Sequence, residues 1–295
     1  MSAMHTPPHS QPTWTTAPAV THYENFPVAS WLCPPPLRPA IAAIYHFART
    51  ADDLADEGDA DADSRLADLA AYRADLLACT EGPCASVRWP QVFGPLAVVL
   101  RDRQLPPPLL SALLDAFAQD VRMTATHSRY ATDAELLDYC TRSANPVGRL
   151  LLHLYGIDDA LSLHQSDQIC SALQLINFWQ DLRVDIARGR WYPSQEAMQR
   201  FGVSDADLQA DSDAPNARRL VAAYTAQARA LMHQGAPLAC RIPGRAGWEL
   251  RLVVQGGLRI LDKIGNLNHC TWRQRPTLGS ADVPLMLWRA LRMRP

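Results

Sequence analysis

The stretch QLINFWQDLRVD, residues 174–185, decides the fold predicted for this chain. Its polar residues Gln174, Asn177, Asp181 and Asp185 recur at offsets of 0, 3, 7 and 11, which predicts one polar stripe along an α-helix. The apolar residues around that stripe are expected to be buried: Ile169, Leu173, Leu175, Ile176, Phe178 and Trp179. Burying an amide and two carboxylates on such a helix costs free energy unless hydrogen bonds or a cation compensate them. We therefore favour a metal site over a solvated polar face, because these side chains offer the hard oxygen donors that Mg²⁺ prefers.

The stretch YHFARTADDLAD, residues 45–56, predicts a second acidic helix. Tyr45, Arg49, Asp52 and Asp56 fall at offsets of 0, 4, 7 and 11, so they form one stripe with the acids at one end. Carboxylates four residues apart on a helix lie about 6 Å from each other and repel unless a cation binds between them. A solvated helix end is the alternative, since four more acids follow at positions 57–63. Together, the two acidic pairs predict facing helices that clamp a Mg²⁺–diphosphate group.

Apolar residues recur at helical spacings almost throughout the chain from residue 38 onward. The predicted helical blocks are 38–56, 64–79, 93–103, 108–125, 133–155, 165–188, 217–235 and 246–270. Pro and Gly lie between the blocks, and no alternating strand pattern occurs. The pattern predicts an all-α domain over residues 21–280, with a disordered leader over 1–20 and a tail over 281–295. The segment after Gly189, Arg190-Trp191-Tyr192-Pro193, is expected to be a loop or lid.

Composition excludes several classes of function. A net charge of −2 gives no electrostatic reason to expect nucleic acid as a partner. The seven cysteines are dispersed without metal-ligand spacing, which is typical of reduced thiols in a cytoplasmic protein. No run of 18 apolar residues occurs, so no membrane span is predicted. The chain also lacks Glu-x-x-His, His-Glu-x-x-His and P-loop motifs, which argues against the metal and nucleotide chemistry they support.

The two acidic motifs, in their order and separation, resemble the squalene/phytoene synthase family. The residues that carry the resemblance are Tyr45, Arg49, Asp52, Asp53, Asp56, Gln174, Leu175, Ile176, Asn177, Asp181, Asp185, Gly189, Arg190, Trp191 and Tyr192. It extends from about Asn25 to Arg275. The resemblance implies the isoprenoid synthase fold, a single helical bundle with a central cavity, in which the acids bind Mg²⁺ that holds a prenyl diphosphate.

The second motif departs from the family pattern at two positions. Gln180 stands where family members typically carry Arg, and Val184 where they carry Glu. This form, with the segment ENFPVAS over residues 24–30, resembles the bacterial hopanoid branch of the family. That branch converts presqualene diphosphate and water to hydroxysqualene without NADPH. The resemblance therefore implies a Mg²⁺-dependent lyase with no nicotinamide cofactor, coupled in function to other hopanoid-pathway enzymes.

The resemblance also implies roles for individual residues. Catalytic roles fall on Asp52, Asp56, Asp181, Asp185 and Tyr45, whose ring offers cation–π stabilisation. The implied metal ligands are Asp52, Asp56, Asn177, Asp181 and Asp185. The implied substrate-binding residues are Arg49, Asn25, Gln174, Arg190, Tyr192 and Arg275.

Two other functions stay open. One is a head-to-head prenyltransferase that makes presqualene diphosphate, squalene or phytoene, and the other is a catalytically silent scaffold relative. The four retained acids favour an enzyme, because paired buried carboxylates without a metal are destabilising. Near the C-terminus, Trp288 and the run 285–287 predict a packed terminal helix, with transient peripheral membrane contact as the alternative.

Overall fold

The structure, a computed structural model, describes residues 33–82 and 86–294. Asn25, the segment 24–30 and the leader 1–20 lie outside the described residues. Within the described part the chain is helical and contains no β-strand, which confirms the all-α prediction. The α-helices are α1 (Arg38–Asp56), α2 (Ala62–Glu81), α3 (Pro90–Asp102), α4 (Pro107–Thr126), α5 (Asp133–Ser143), α6 (Asn145–Leu154), α7 (Ala160–Gln180), α8 (Leu182–Ala187), α9 (Gln195–Phe201), α10 (Pro215–Gly235), α11 (Leu238–Arg241), α12 (Gly244–Asn266) and α13 (Val283–Arg292).

Local sequence signals set where these helices begin. Helices α1, α3, α4, α6, α10 and α13 carry Pro in the first turn, where a missing N–H costs no intrahelical hydrogen bond. Side-chain caps begin others: Asp159 accepts the Ser162 amide at 3.0 Å before α7, and Ser194 accepts the Ala197 amide at 3.1 Å before α9. With their ends set in this way, most of the long helices lie within a few residues of the predicted blocks.

The helices bury two hydrophobic cores. The N-terminal core is formed mainly by α1–α4 and α6, with the ring of Tyr72 4.7 Å from Phe93 and 5.1 Å from Phe47. The C-terminal core is formed mainly by α5, α7, α10 and α12, where Trp179 stacks on Tyr224 at 4.0 Å. The two acidic helices, α1 and α7, therefore belong to different cores.

Helix α7 lies at the centre of the C-terminal core. It packs against α5, α6, α10 and α12. At Gly235 on α10, a Cβ atom would lie only 2.6 Å from the backbone oxygen of Gln165 on α7, so the helices approach closely because this residue has no side chain. Ser171 on α7 also donates to Asn145 of α6 at 2.9 Å. These contacts fix the helix that carries the second acidic motif.

Two predicted blocks are each divided in the structure. The block 133–155 separates at Ala144 into α5 and α6, because Pro146 in the first turn of α6 cannot donate an amide to the preceding turn. The block 165–188 separates at Asp181, whose backbone (φ −100°, ψ 11°) ends α7 and begins α8. The short helices α9 and α11 lie outside all the predicted blocks.

The expectation of reduced cysteines is only partly correct. Cys33, Cys140, Cys170, Cys240 and Cys270 are free thiols. Cys79, at the end of α2, is instead disulfide-bonded. Spacing alone gave no sign of this bond, because the chain has no motif that pairs its cysteines.

The C-terminal residues form α13, which packs against α12. This observation agrees with the packed terminal helix favoured from the sequence. Among the described residues, no helix is long and apolar enough to cross a membrane.

Candidate active site

One face of α1 carries the first group of predicted site residues. Tyr45, Arg49, Asp52 and Asp56 are all partly buried, as expected for a stripe at the edge of a core. Arg49 donates to Asp52 at 3.3 Å and pairs with Asp53 at 2.9 Å. The first acidic motif is therefore partly neutralised by a cation of its own helix.

The second group lies at the junction of α7 and α8. The prediction of one unbroken helix through residue 188 is wrong, yet hydrogen bonds keep the helical register across the break. The Asp181 amide donates to Asn177 at 2.8 Å, and the Asp185 amide donates to Asp181 at 2.9 Å. Asn177, Asp181 and Asp185 are partly buried, beside the fully buried Phe178 and Trp179. The polar stripe predicted from the sequence is therefore present.

Arg190 joins the two acidic helices. Its amide donates to the Asp185 carbonyl at 2.8 Å, which ties the residue to the end of α8. Its guanidinium forms an ion pair with Asp56 on α1. Both partners are about four-fifths shielded from solvent, so this ion pair is stronger than one on an open surface. The structure thereby brings together carboxylates that are more than a hundred residues apart in sequence.

The segment 189–193 is a loop that packs against the bundle. Tyr192 stacks on Phe178 with ring centroids 3.6 Å apart and is 7% exposed. Beyond it, the Ser194 amide donates to the Tyr224 hydroxyl at 3.0 Å, and the Ser194 hydroxyl donates to Asp133 at 2.6 Å. These contacts fix the chain after Arg190, and the bond from its amide to Asp185 fixes the chain before it.

The carboxylates at this site share one electrostatic environment. Burial raises the pKa of Asp52 to about 6, and the neighbouring Asp56 carboxylate adds to the rise. Burial also raises the pKa of Asp185 to about 7, with Asp181 as the next cause. Arg190 opposes both shifts in pKa, so one guanidinium acts on an acid from each motif. Such an excess of shielded negative charge favours the binding of cations.

Asp120 on α4 is a fifth carboxylate that the sequence analysis missed. The Tyr139 hydroxyl donates to it at 2.5 Å. Burial raises the pKa of Asp120 to about 7, while the Tyr139 hydrogen bond and the Arg190 charge oppose the rise. The missed signal is positional: Leu113 and Ala116, seven and four residues earlier on α4, are buried, so an acid at 120 lies on an inward-facing stripe.

Aromatic rings surround this group of acids. Tyr130 lies 5.9 Å from Tyr139 and 6.4 Å from Tyr192, between ring centroids. A small cavity of about 20 Å³ adjoins Tyr130, Tyr192, Asp120 and Arg190. Burial raises the pKa of Tyr192 well above its ordinary value, so its phenol stays neutral. The sequence analysis assigned a cation-stabilising ring only to Tyr45, whereas the structure places three tyrosines and Phe178 beside the acids.

The segment after α12 covers the second acidic motif. Arg275 forms an ion pair with Asp181, and its second contact to that carboxylate measures 3.2 Å. Two hydrogen bonds hold the segment: Gln180 donates to the Pro276 carbonyl at 2.8 Å, and Arg183 donates to the Arg273 carbonyl at 3.1 Å. The position at which this chain departs from the family pattern, Gln180, thus supports the arginine that contacts Asp181.

The donor set fits a hard divalent cation in kind. Asp185 Oδ2 is buried and has no hydrogen-bond partner among the residues that the structure describes. Such an orphaned carboxylate oxygen, beside oxygen donors on Asn177 and Asp181, suits Mg²⁺. Within residues 33–82 and 86–294, however, no group of three or more His, Cys, Asp or Glu is arranged to hold a metal ion. Instead, arginines form ion pairs with three of these acids: Asp52, Asp56 and Asp181.

The other predicted residues have varied positions. Gln174 is partly buried on α7, one turn before Asn177. Asn25 lies outside the described residues.

Comparison with known proteins identifies the class. The chain matches the model of the squalene/phytoene synthase family over residues 19–282. It is 34% identical over 232 residues to a hydroxysqualene synthase of Rhodopseudomonas palustris, covering 78% of this chain and 75% of that protein. It is 30% identical over 212 residues to a presqualene diphosphate synthase of the same organism, covering 70% and 72%. The chain belongs to the squalene/phytoene synthase family and is an enzyme that processes prenyl diphosphates.

Solved structures agree with this assignment. The crystal structure of squalene synthase HpnC from Alicyclobacillus acidocaldarius matches with a TM-score of 0.76 at 34% identity, covering 84% of this chain and 90% of that one. A dehydrosqualene synthase solved in complex with a ligand matches with a TM-score of 0.73, covering 86% and 85%. At 22% identity the second match shows the fold alone. Together they confirm the isoprenoid synthase fold.

Proposed function

We propose that this protein converts presqualene diphosphate and water to hydroxysqualene and diphosphate in a Mg²⁺-dependent reaction. The observation that carries the proposal is the Arg190 bridge, which joins the acids of α1 and α8 into one site. Relatives named hydroxysqualene synthase support the choice of reaction, including one from Sinorhizobium fredii that is 34% identical over 247 residues. That alignment covers 83% of this chain and 80% of the relative.

The arginines are the chain's own means of binding the diphosphate. Arg49, Arg190 and Arg275 each pair with a carboxylate of the site, and a guanidinium exchanges a carboxylate for a phosphate with the same bidentate geometry. As they turn toward the diphosphate, the carboxylates they leave become free to bind cations. Asp52, Asp56, Asn177, Asp181 and Asp185 would hold Mg²⁺, which supplies charge neutralisation of the leaving group when bound.

The aromatic rings suit the step that follows loss of diphosphate. Breaking the carbon–oxygen bond leaves a cyclopropylcarbinyl cation, which rearranges before water adds its oxygen and releases a proton. The ring of Tyr45, which is only partly buried on α1, can stabilise this cation at about 0.5–2 kcal/mol. Tyr130, Tyr139 and Tyr192 are packed against one another and form an aromatic wall behind the acids. Since the quenching group is water, we expect no need for NADPH.

A head-to-head prenyltransferase is the second candidate, and one observation favours it. The chain is 30% identical to presqualene diphosphate synthases as well, so the same acids could serve the condensation of two prenyl diphosphates. Either reaction places this enzyme next to others in a pathway that makes and consumes C30 or C40 prenyl compounds. We propose the cytoplasm as the location because five cysteines are free thiols, although the disulfide of Cys79 is uncommon in that compartment.

A single-turnover assay distinguishes the candidates. The purified chain is mixed with presqualene diphosphate and Mg²⁺ without NADPH, and organic extracts are analysed by mass spectrometry. We expect hydroxysqualene, with no product from the Asp52→Asn and Asp181→Asn variants. Condensation of farnesyl or geranylgeranyl diphosphate, without turnover of presqualene diphosphate, would assign the chain to the prenyltransferases. Inactivity with all three substrates would favour the scaffold function.

A further inference from the structure

Helix α13 presents an apolar stripe on its outer side. Val283, Leu287 and Leu291 recur every four residues and are 48%, 44% and 66% exposed. Trp288 lies beside them and is 50% exposed. The side that carries Met286 and Ala290 packs against α12, and Ala290 is fully buried. The helix therefore has two apolar sides: one packs against α12, and the other is exposed.

The same end of the chain is strongly basic. Beside α13 lie five cations, Arg229, Arg259, Lys263, Arg289 and Arg292, and two acids, Asp262 and Asp282, so this group carries a net charge of +3, whereas the whole chain has −2. Each of the two acids is held between two cations. Asp262 accepts from Arg229 at 2.9 Å and Arg289 at 2.7 Å, and Asp282 accepts from Arg259 and Lys263. Each acid together with its two cations therefore has a net charge of +1.

These cations line a groove beside α13. The groove has a volume of about 600 Å³, lies between α10, α12 and α13, and is lined by Arg229, Arg259 and Arg289 among other residues. Around the helical wheel of α13, Arg289 is followed by Arg292 and then by Trp288. The Arg292 guanidinium lies 4.2 Å from the centroid of the Trp288 ring. The cationic groove therefore leads directly to the apolar stripe.

The apolar surface continues along α12. Trp248, 38% exposed, lies two turns before Gly256 on the same side of the helix, and Arg251 lies 4.8 Å from its ring. A Cβ atom at Gly256 would lie 3.6 Å from Leu278 and Met286, so the segment before α13 and α13 itself cover the next part of that side. Leu278 is in turn 43% exposed. Two partly exposed tryptophans, each with an arginine over its ring, thus lie on the adjacent helices α12 and α13.

We propose that α13 and the groove beside it form a docking surface for a bilayer that contains anionic phospholipids. The apolar stripe of α13 enters the boundary between headgroups and acyl chains, as amphipathic interfacial helices do. Trp288 and Trp248 lie at the level of the headgroups, where indole rings are favoured. Arg292 and the arginines of the groove bind the lipid phosphates.

Charge selects lipid as the occupant over a second copy of the chain. Two copies joined through this face would bring two surfaces of the same positive charge together, which opposes association. Anionic phospholipids offer the complementary charge and an apolar layer for the stripe. The inference rests on surface chemistry alone, so it holds or fails independently of the proposed reaction.

Vesicle co-sedimentation of the full chain tests the proposal. We expect binding to vesicles of phosphatidylcholine with phosphatidylglycerol, little binding to phosphatidylcholine alone, and release at high salt. Arg292→Glu should weaken binding about tenfold by charge reversal. Arg101→Glu, on the exposed end of α3, makes the same charge change elsewhere and should have no effect. Equal binding of wild type to both kinds of vesicle, or equal effects of the two variants, would overturn the proposal.

The apolar part has its own matched pair. Leu287→Ser with Leu291→Ser should weaken vesicle binding about tenfold or more, because two leucines no longer leave water. Leu161, at the start of α7, is 54% exposed and distant in sequence from α13. Leu161→Ser therefore removes the same kind of side chain elsewhere and should leave binding unchanged. Circular dichroism melting confirms that each variant folds. If sedimentation equilibrium shows a dimer that the Leu287/Leu291 variant dissociates, the surface binds a second copy and the lipid proposal is wrong.

Discussion

Asp52 and Asp56 lie on an unbroken helix, α1, whereas Asp181 lies at the break between α7 and α8, with Asp185 inside the short α8. On α1 a cation from the same helix, Arg49, lies against the acids. On α8 one oxygen of Asp185 is buried without a hydrogen-bond partner in the described structure. The same spacing of carboxylates is thus built once as a stripe partly neutralised by an arginine of its own helix and once as a site with unbalanced charge.

This difference shows how function and stability are divided between the motifs. Buried, unpaired negative charge destabilises a fold but prepares a place for a cation. The second motif carries more of this unpaired charge. Arg190 follows that motif in the chain and contacts Asp56 of the first motif, and its charge also offsets part of the negative charge of Asp185. The predictions below separate the two motifs experimentally.

The largest expected effect comes from breaking the bridge. Arg190→Ala removes the cation that contacts Asp56 and acts on Asp185, so we expect kcat/KM to fall about a thousandfold, in line with loss of a preorganised charge at a reacting site. Steady-state assays with presqualene diphosphate measure this. Arg101→Ala, an exposed arginine on α3 away from the acids, is the control and should stay near wild type. A loss below tenfold at Arg190 would mean that the bridge is structural only.

The second prediction compares one chemical change in both motifs. Asp185→Asn should raise the free energy of unfolding by about 1–2 kcal/mol at pH 8, because it removes an unbalanced buried charge. Asp56→Asn should lower it by a similar amount, because Arg190 loses its partner.

Denaturant unfolding of metal-free protein measures both variants, which should each lose activity. Changes of the same sign in the two variants would contradict the contrast between the motifs. Asp115→Asn on α4, which breaks an exposed pair with Arg73, gives the background value for losing a surface carboxylate.

The third prediction concerns pH. The folded-state pKa of Asp120 is raised to about 7, so between its ordinary value and about pH 7 the folded state binds more protons than the unfolded state. The stability it contributes is therefore present at low pH and lost as the pH rises through about 7. Asp120→Asn should flatten this dependence, by about 2 kcal/mol between pH 5 and pH 8, when melting is followed without metal. Identical pH profiles for wild type and variant would show that Asp120 does not titrate differently on folding.

The smallest effect is expected at Gln180. Gln180→Leu removes the hydrogen bond to the Pro276 carbonyl, so Arg275 is held less firmly against Asp181. We expect KM for the diphosphate substrate to rise about threefold with kcat nearly unchanged, since one neutral hydrogen bond is worth about 1 kcal/mol. Val184→Ala on α8, whose side chain is exposed, serves as the control. A fall in kcat without a change in KM would assign Gln180 a different role.

Much of the site could be read from spacing alone. The stripes through Asp52 and Asp56 and through Asn177, Asp181 and Asp185 follow from helical periodicity, which is a local property of the chain. Asp120 escaped notice because no second acid lies three or four residues from it; only its spacing from the apolar Leu113 and Ala116 marks it as inward-facing. The break at Asp181 was missed for a similar reason, since no Pro or Gly precedes it and the register of hydrogen bonds is kept.

The sequence by itself determined the all-α fold, the helices that carry the acids and the family to which the chain belongs, because these depend on residue types at fixed local spacings. Only the tertiary structure decided that Arg190 bridges to Asp56, that Tyr139 binds Asp120 and that Arg275 lies on Asp181. These pairs join residues that are distant in the chain. The Arg190–Asp56 pair depends on how the two hydrophobic cores pack together, and the other two pairs depend on how neighbouring segments pack, so no local pattern encodes these partners.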